Sequence, residues 1–138
     1  MLKKTIPFPI LGDERGSLIA LENHKQIPFV IQRVYYIFDT KAGVRRGFHA
    51  HKALEQVVIC LTGSCKFLLD DGKTQENFTL DKNTEGLFLG SMLWREMYDF
   101  SADCVLMVLA SELYNEADYI RDYQEFLKQV NHENPSFK

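Results

Sequence analysis

The stretch from Gln56 to Lys73 reads QVVICL-TGS-CKFLL-DDGK. Two short runs of branched and aromatic residues are parted by Thr62-Gly63-Ser64, and the second ends on Asp70-Asp71-Gly72-Lys73. Such residues suit a pleated strand, and an Asp-Gly pair supplies the positive-φ position of a tight turn. The stretch therefore predicts two successive hairpin joints. Outward from it, similar runs recur at Ser17–Leu21, Phe29–Phe38, Gly86–Leu89 and Cys104–Leu109, and a shorter one at Asn77–Leu80. Strand signals this closely spaced, with turn residues between them, predict an all-β antiparallel sandwich or barrel.

The period changes only near the C-terminus. Ile120, Tyr123, Leu127 and Val130 recur at helical spacing, with Arg121, Asp122, Glu125 and Lys128 on the other faces. Asn115, with Asp118 three residues on, has the form of an N-capping pair. One closing helix is predicted over Glu116 to Val130, its apolar stripe against the outside of the β domain. Asn131 to Lys138, with Pro135, reads as a loose tail.

The chain has 138 residues, 46% hydrophobic and 25% charged, with 8 Gly and 4 Pro, which is the composition of one globular domain over 1–138 rather than a disordered or repetitive chain. A net charge of −3 lacks the basic field that a general nucleic-acid binder needs. No apolar run approaches the length of a membrane span, and the opening MLKKTIPFPILG is too short and too broken by proline for a signal peptide. Cys60, Cys65 and Cys104 have no metal-ligand spacing and lie in apolar stretches, so buried thiols in a reducing cytoplasm are expected.

Chemistry concentrates in Arg45-Arg46-Gly47-Phe48-His49-Ala50-His51-Lys52. On an extended chain residues two apart share a face, so His49 and His51 project side by side. No carboxylate falls between Thr40 and Leu54, whereas Lys41, Arg45, Arg46 and Lys52 do, which makes a landing place for an anion. In Arg33-Val34-Tyr35-Tyr36-Ile37-Phe38-Asp39, one face carries Val34, Tyr36 and Phe38. The other carries Arg33, Tyr35, Ile37 and Asp39, and can either line a cavity or face water. Two imidazoles and a phenol suit proton transfer near neutral pH.

The spacing Gly43, His49-x-His51, Glu55, Gly63 is similar to the first motif of the cupin superfamily, with one residue more in the last gap. In metal-binding cupins the two histidines and the glutamate are ligands, completed by a histidine from a second motif. Here that place holds Arg95, a permanent cation that cannot ligate, so a metal-free site is expected. The segments Asp13-Glu14-Arg15-Gly16-Ser17-Leu18, Arg33 to Asp39, Arg46 to Lys52, Leu69-Asp70-Asp71-Gly72 and Asp118-Tyr119-Ile120-Arg121 are more specific. Together they resemble the dTDP-4-keto-6-deoxyglucose 3,4-ketoisomerases, the WxcM-like or FdtA/QdtA-type sugar isomerases, from about Ile10 to Val130.

That resemblance implies a cupin-type jelly roll, a homodimer with N-terminal strand exchange, and a dTDP-linked 4-keto-6-deoxyhexose as substrate, with no cofactor. It implies carbonyl transfer from C4 to C3 on the route to a 3-amino-3,6-dideoxyhexose. His49 would be the base, His51 a positioning or relay group, and Tyr35 the second proton carrier. Arg46, Arg33, Arg15, Arg95 and Lys52 would hold the substrate. In this family Arg at position 95 goes with gluco-configured products, whereas Arg at position 15 goes with galacto; the rest of the sequence reads closer to galacto. A 3,5-epimerase-like cupin, a metal-dependent cupin and a non-catalytic sugar-nucleotide-binding cupin are the competing readings.

Overall fold

The computed structural model describes residues 1–133. Its strands form two five-stranded sheets. The first runs in the order β1 (Lys4–Pro7), β9 (Glu85–Leu89), β6 (Gln56–Thr62), β11 (Val105–Ala110), β4 (Arg33–Ile37). The second runs β12 (Tyr119–Ile120), β5 (Arg46–His51), β10 (Trp94–Tyr98), β7 (Cys65–Asp70), β8 (Gln75–Leu80). Every pairing in them is antiparallel. A hairpin of β2 (Leu11–Asp13) and β3 (Gly16–Leu18) stands outside both. This is the expected all-β jelly roll, closed by helix α1 (Tyr123–Glu133).

Alternation along the strands explains the layers. Between the sheets, Val58 and Cys60 of β6 meet Cys65, Phe67 and Leu69 of β7, with Leu87, Leu89, Leu106 and Val108 from β9 and β11. The intervening residues Val57, Ile59 and Leu109 face outward, where Phe8, Ile27 and Phe29 of the N-terminal segment cover them. The outer face of the second sheet, at Ala50 and Trp94, is covered by Ile120, Phe126 and Val130. Trp94 is thus a core residue. Both predicted turns form at positive φ, Gly63 at 74° and Gly72 at 92°. Only the second closes a hairpin, β7–β8. The expected hairpin at Thr62-Gly63-Ser64 is instead a crossover, because β6 pairs with β9 and β11 in the first sheet while β7 pairs with β8 and β10 in the second. A side chain at Gly72 would meet Val130 Cγ1 at 2.9 Å, so this turn must be bare for α1 to lie across it.

Two further expectations need correction. The C-terminal helix does not start at Glu116: a 3₁₀ turn spans Glu116–Asp118, β12 follows, and α1 begins only at Tyr123. Asn115 does cap, accepting from the Ala117 amide, but it caps the 3₁₀ turn. The reason is tertiary: Tyr119 and Ile120 pair with His51 and Ala50, and strand bonds to β5 replace a first helical turn. The helix then runs through residues 131–133 of the expected tail; the rest of that tail lies outside the described residues.

All three cysteines are free and buried, as predicted. Among the described residues no helix is long and apolar enough to cross a membrane.

Candidate active site

The site is built on an irregularity of β5. Arg95 pairs with His49 but Glu96 pairs with Gly47, which leaves Phe48 as an extra residue, a β-bulge. Gly47 at φ 95° and Phe48 at φ 59° both take left-handed backbone. A Cβ at Gly47 would come within 2.8 Å of the Arg95 carbonyl oxygen, so only glycine lets the strands approach here. A bulge re-aims the side chain that follows it, and that side chain is His49.

His49 and His51 share the inner face, with ring centroids 4.9 Å apart and edge to face. Hydrogen-bond polarity fixes the tautomer of each. His49 Nδ1 lies 3.1 Å from the Gly47 carbonyl oxygen, which can only accept, so Nδ1 carries the hydrogen and Nε2 the lone pair. His51 Nδ1 lies 3.2 Å from Asp118 Oδ2 and is likewise the donor. That carboxylate also accepts from the Ala53 and Leu54 amides, at 2.9 and 3.2 Å. His51 Nε2 and Arg33 Nε are the buried side-chain nitrogens left without a hydrogen-bond partner among the described residues. Buried polar atoms are rarely left unpaired. Of these two residues, Arg33 lines the site's cavity while His51 is sealed behind His49.

Both imidazoles are held neutral. Burial, reinforced by the Arg95 guanidinium, lowers His49 to about 4. The same two causes lower His51 to about 2. Tyr119 packs on both rings, at 5.0 Å from His49 and 4.4 Å from His51. Arg121 covers Tyr119 at 4.1 Å and is itself bound to Glu116 at 2.8 Å.

Beneath the histidines lies a second network. Arg95 is 2% exposed, and its Nη1 donates to Gln56 Oε1 at 2.6 Å while Nε and Nη2 donate to the Leu93 carbonyl. Gln56 Nε2 then donates to the Tyr35 hydroxyl oxygen at 2.9 Å. Burial raises the Tyr35 phenol above its usual range; the Gln56 bond and the charge of Arg95 oppose that rise. Burial lowers Arg95 to about 10, so it stays a cation at neutral pH.

Above this floor opens a cavity of about 640 Å³, lined among others by Arg33, Tyr35, Arg46, His49, Tyr119 and Arg121. The structure therefore brings together His49, Tyr35, Arg33 and Arg46 of the sequence-predicted set, with His51 packed directly behind His49. Arg45 and Arg121 are tied to Glu96 and Glu116, whereas Arg33 and Arg46 form no ion pair among the described residues. Their charge is free for an anion.

Three predicted substrate-binding residues are not brought to this cavity. Arg15 sits on the β2–β3 hairpin, 85% exposed and paired with Asp13 at 2.6 Å. Lys52 is exposed in the turn after β5. Arg95 is sealed under the floor, because its position on β10 points between the sheets. Glu55 does not join the histidines, and no group of three or more His, Cys, Asp or Glu side chains converges to hold a metal ion among the described residues. The Arg95 guanidinium below the histidines places a like charge beside any cation that would bind them.

Sequence reasoning missed Gln56, Asp118, Tyr119 and Arg121. Gln56 carried a usable signal, since strand alternation puts it on the face of Val58 and Cys60. Arg121 and Tyr119 were hidden by the mistaken helix, and Asp118 by its reading as a cap.

Fold and site together define a cupin-type jelly roll equipped for acid–base chemistry on an anionic ligand. Residues 1–131 match the FdtA family (WxcM-like, C-terminal), and the chain belongs to it as an isomerase of the 3,4-ketoisomerase type. It is 57% identical over 130 residues, 94% of both chains, to the TDP-4-oxo-6-deoxy-α-D-glucose-3,4-oxoisomerase of Aneurinibacillus thermoaerophilus. A crystal structure of a 3,4-ketoisomerase from Helicobacter canadensis is similar with a TM-score of 0.91 at 54% identity, covering 95% of this chain and 98% of that one. A histidine-to-asparagine variant of the 3,4-ketoisomerase QdtA from Thermoanaerobacterium thermosaccharolyticum, in complex with TDP-4-keto-6-deoxyglucose, is similar with a TM-score of 0.92 at 41% identity over 96% of each chain.

Proposed function

We propose that this protein converts TDP-4-keto-6-deoxyglucose into the TDP-3-keto-6-deoxyhexose by metal-independent acid–base catalysis. The observation that carries the reading is the pairing of a neutral base and a neutral acid in one cationic cavity. His49 has a bare Nε2 and stays neutral down to about pH 4; Tyr35 keeps its proton.

The C3 proton is acidified by the adjacent ketone, and His49 Nε2 removes it to give an enediolate across C3 and C4. Tyr35 donates to O4, where negative charge develops, while the buried cation of Arg95 lies below it. The O3 hydroxyl proton passes to Tyr35 as O3 becomes the carbonyl oxygen, which restores the phenol, and His51, packed behind His49, holds that ring in place. Protonation at C4 by the conjugate acid of the base, once its proton has exchanged with solvent, completes the isomerisation. C3 is oxidised and C4 reduced within one molecule, so no redox cofactor enters the balance. Arg33 and Arg46 hold the pyrophosphate through charge-assisted hydrogen bonds.

The galacto-configured 3-keto sugar is taken as the product, on the sequence features other than Arg95, and an aminotransferase would consume it. The active form is a cytoplasmic homodimer. Val34 and Tyr36 of edge strand β4 and Phe38 just beyond it, each more than half exposed, form its apolar seat. Strand exchange would swap β1 between the protomers, each taking the place beside the other's β9. Sedimentation should give a dimer, and Tyr36→Asp a monomer.

The test of the reaction is proton NMR of TDP-4-keto-6-deoxyglucose with chelator-treated enzyme in D2O, and in parallel with an aminotransferase that traps 3-keto sugars. A 3-keto product with deuterium at C4 is expected, its configuration read from the trapped amino sugar. Exchange confined to C3 and C5 with the ketone still at C4 would instead establish an epimerase. Binding without any exchange would establish a sensor.

A further inference from the structure

Arg95 is fully buried, yet among the described residues it forms no ion pair; its partners are a side-chain amide and one backbone carbonyl. A buried cation without a counterion is costly, and cores rarely keep one without a use for its field. The direction of the bonds leading away from it is forced. A guanidinium has donors only, so Gln56 must turn Oε1 toward Arg95 and Nε2 toward Tyr35. With its oxygen accepting from Nε2, the Tyr35 hydroxyl keeps its own hydrogen for the cavity. Tyr35, His49, Gln56 and Arg95 all line one small enclosed pocket below the main cavity.

From this geometry we propose that Gln56 is a positioning residue of the reaction: it touches no substrate, but fixes Tyr35 as a hydrogen donor and couples its phenol to the buried charge of Arg95. The inference rests on the reading of Tyr35 as proton donor and assigns a specific chemical demand to position 56. The residue there must accept from a guanidinium and donate to a phenol, and an amide does both. A carboxylate of the same shape accepts from Arg95 but has nothing to donate. Tyr35 would then turn its hydrogen down to the carboxylate and away from the cavity, and the charge of Arg95 would be cancelled.

The isosteric Gln56→Glu variant is therefore the sharpest test, with Gln56→Leu as a second in case the first folds poorly. Gln56→Glu is expected to lower kcat about 100-fold with KM changed less than about threefold, the mark of an interaction made in the transition state. In a Tyr35→Phe background, Gln56→Leu should cost nothing further, because its effect passes through the phenol. An equal loss from Gln56→Leu in both backgrounds would overturn the proposal, as would a Gln56→Glu enzyme within about threefold of the parent.

A readout without substrate separates this inference from the functional reading. In NMR titration of the free protein, the His49 midpoint should rise by about one pH unit or more in Gln56→Glu, because the new carboxylate neutralises Arg95. The other titratable and charged groups facing His49 or its cavity are His51, Tyr35, Tyr119, Arg33, Arg45, Arg46, Arg121 and Glu116, all unaltered in the variant. A parent that binds TDP but turns nothing over would refute the isomerase reading and leave this titration to decide the link to Arg95. A His49 midpoint unmoved by the substitution would overturn that link.

Discussion

The inward face of β6 begins at Gln56 and reaches Cys60 four residues later, a distance of roughly 13 Å along a strand. At the first end stand His49, His51, Tyr35 and Arg95; at the other, Cys60, Cys65 and Cys104 meet among Phe67, Leu106 and Phe100. Burial acts at both ends and in both favours the uncharged form. It lowers the histidines, and it pushes the thiols up, Cys60 to about 12. What differs is the use of the remaining valences. Cys60 Sγ spends its hydrogen on the Thr62 and Gly63 carbonyls, each at 3.3 Å. At the histidine end the Nδ1 atoms are spent, and the Nε2 lone pair of His49 is left for the cavity. Desolvation alone makes an inert core; desolvation with one free, correctly polarised atom makes a reagent.

Breaking the histidine end should give the largest effect. His49→Asn is expected to lower kcat by about 10³- to 10⁴-fold while TDP affinity stays within about threefold, checked by steady-state kinetics and calorimetry. The closed end should respond in stability and not in chemistry. Phe67→Ala removes a fully buried ring stacked on Phe78 at 6.0 Å, and should cost about 3 kcal/mol in urea unfolding. The sugar-binding constant of the variant should be unchanged where it remains folded.

Acid sharpens the comparison further. His49 takes up its proton near pH 6.5 when unfolded but only near 4 when folded, so the unfolded state binds more protons between these values. Stability therefore falls as pH drops through that window. At pH 5 His49 alone should cost about 2 kcal/mol, and His51 adds in the same direction. A urea midpoint that rose on acidification from pH 7 to 5 would contradict a neutral buried pair. The thiols should show the smallest response: no labelling by an aromatic disulfide reagent in the native protein over minutes, and three equivalents once it is unfolded.

Much of this was legible in the chain. The turns at Gly63 and Gly72, the strands β6, β7 and β9, the shared face of His49 and His51, and the common face of Arg33, Tyr35 and Ile37 all follow from local periodicity and turn chemistry. That the Gly63 turn joins two sheets, and that the Tyr35 face turns inward, do not. Such signals depend on neighbours in sequence, which a strand's two-residue repeat makes readable. The failures have one cause in common. Tyr119 is a strand residue because it pairs with His51, Asp118 is an anchor because it meets the 51–54 turn, and Arg95 is a sealed charge because β10 lies between β5 and β7.

The sequence by itself determined the all-β architecture and the family, and offered His49, His51 and Tyr35 as candidate reacting groups. Only the tertiary structure decided which arginines are free, which nitrogen of each imidazole is bare, and which way the Tyr35 hydroxyl points. Composition and spacing specify which groups are present. Protonation and hydrogen-bond direction are properties of an environment, and residues far apart in the chain create that environment by excluding water and presenting fixed donors and acceptors.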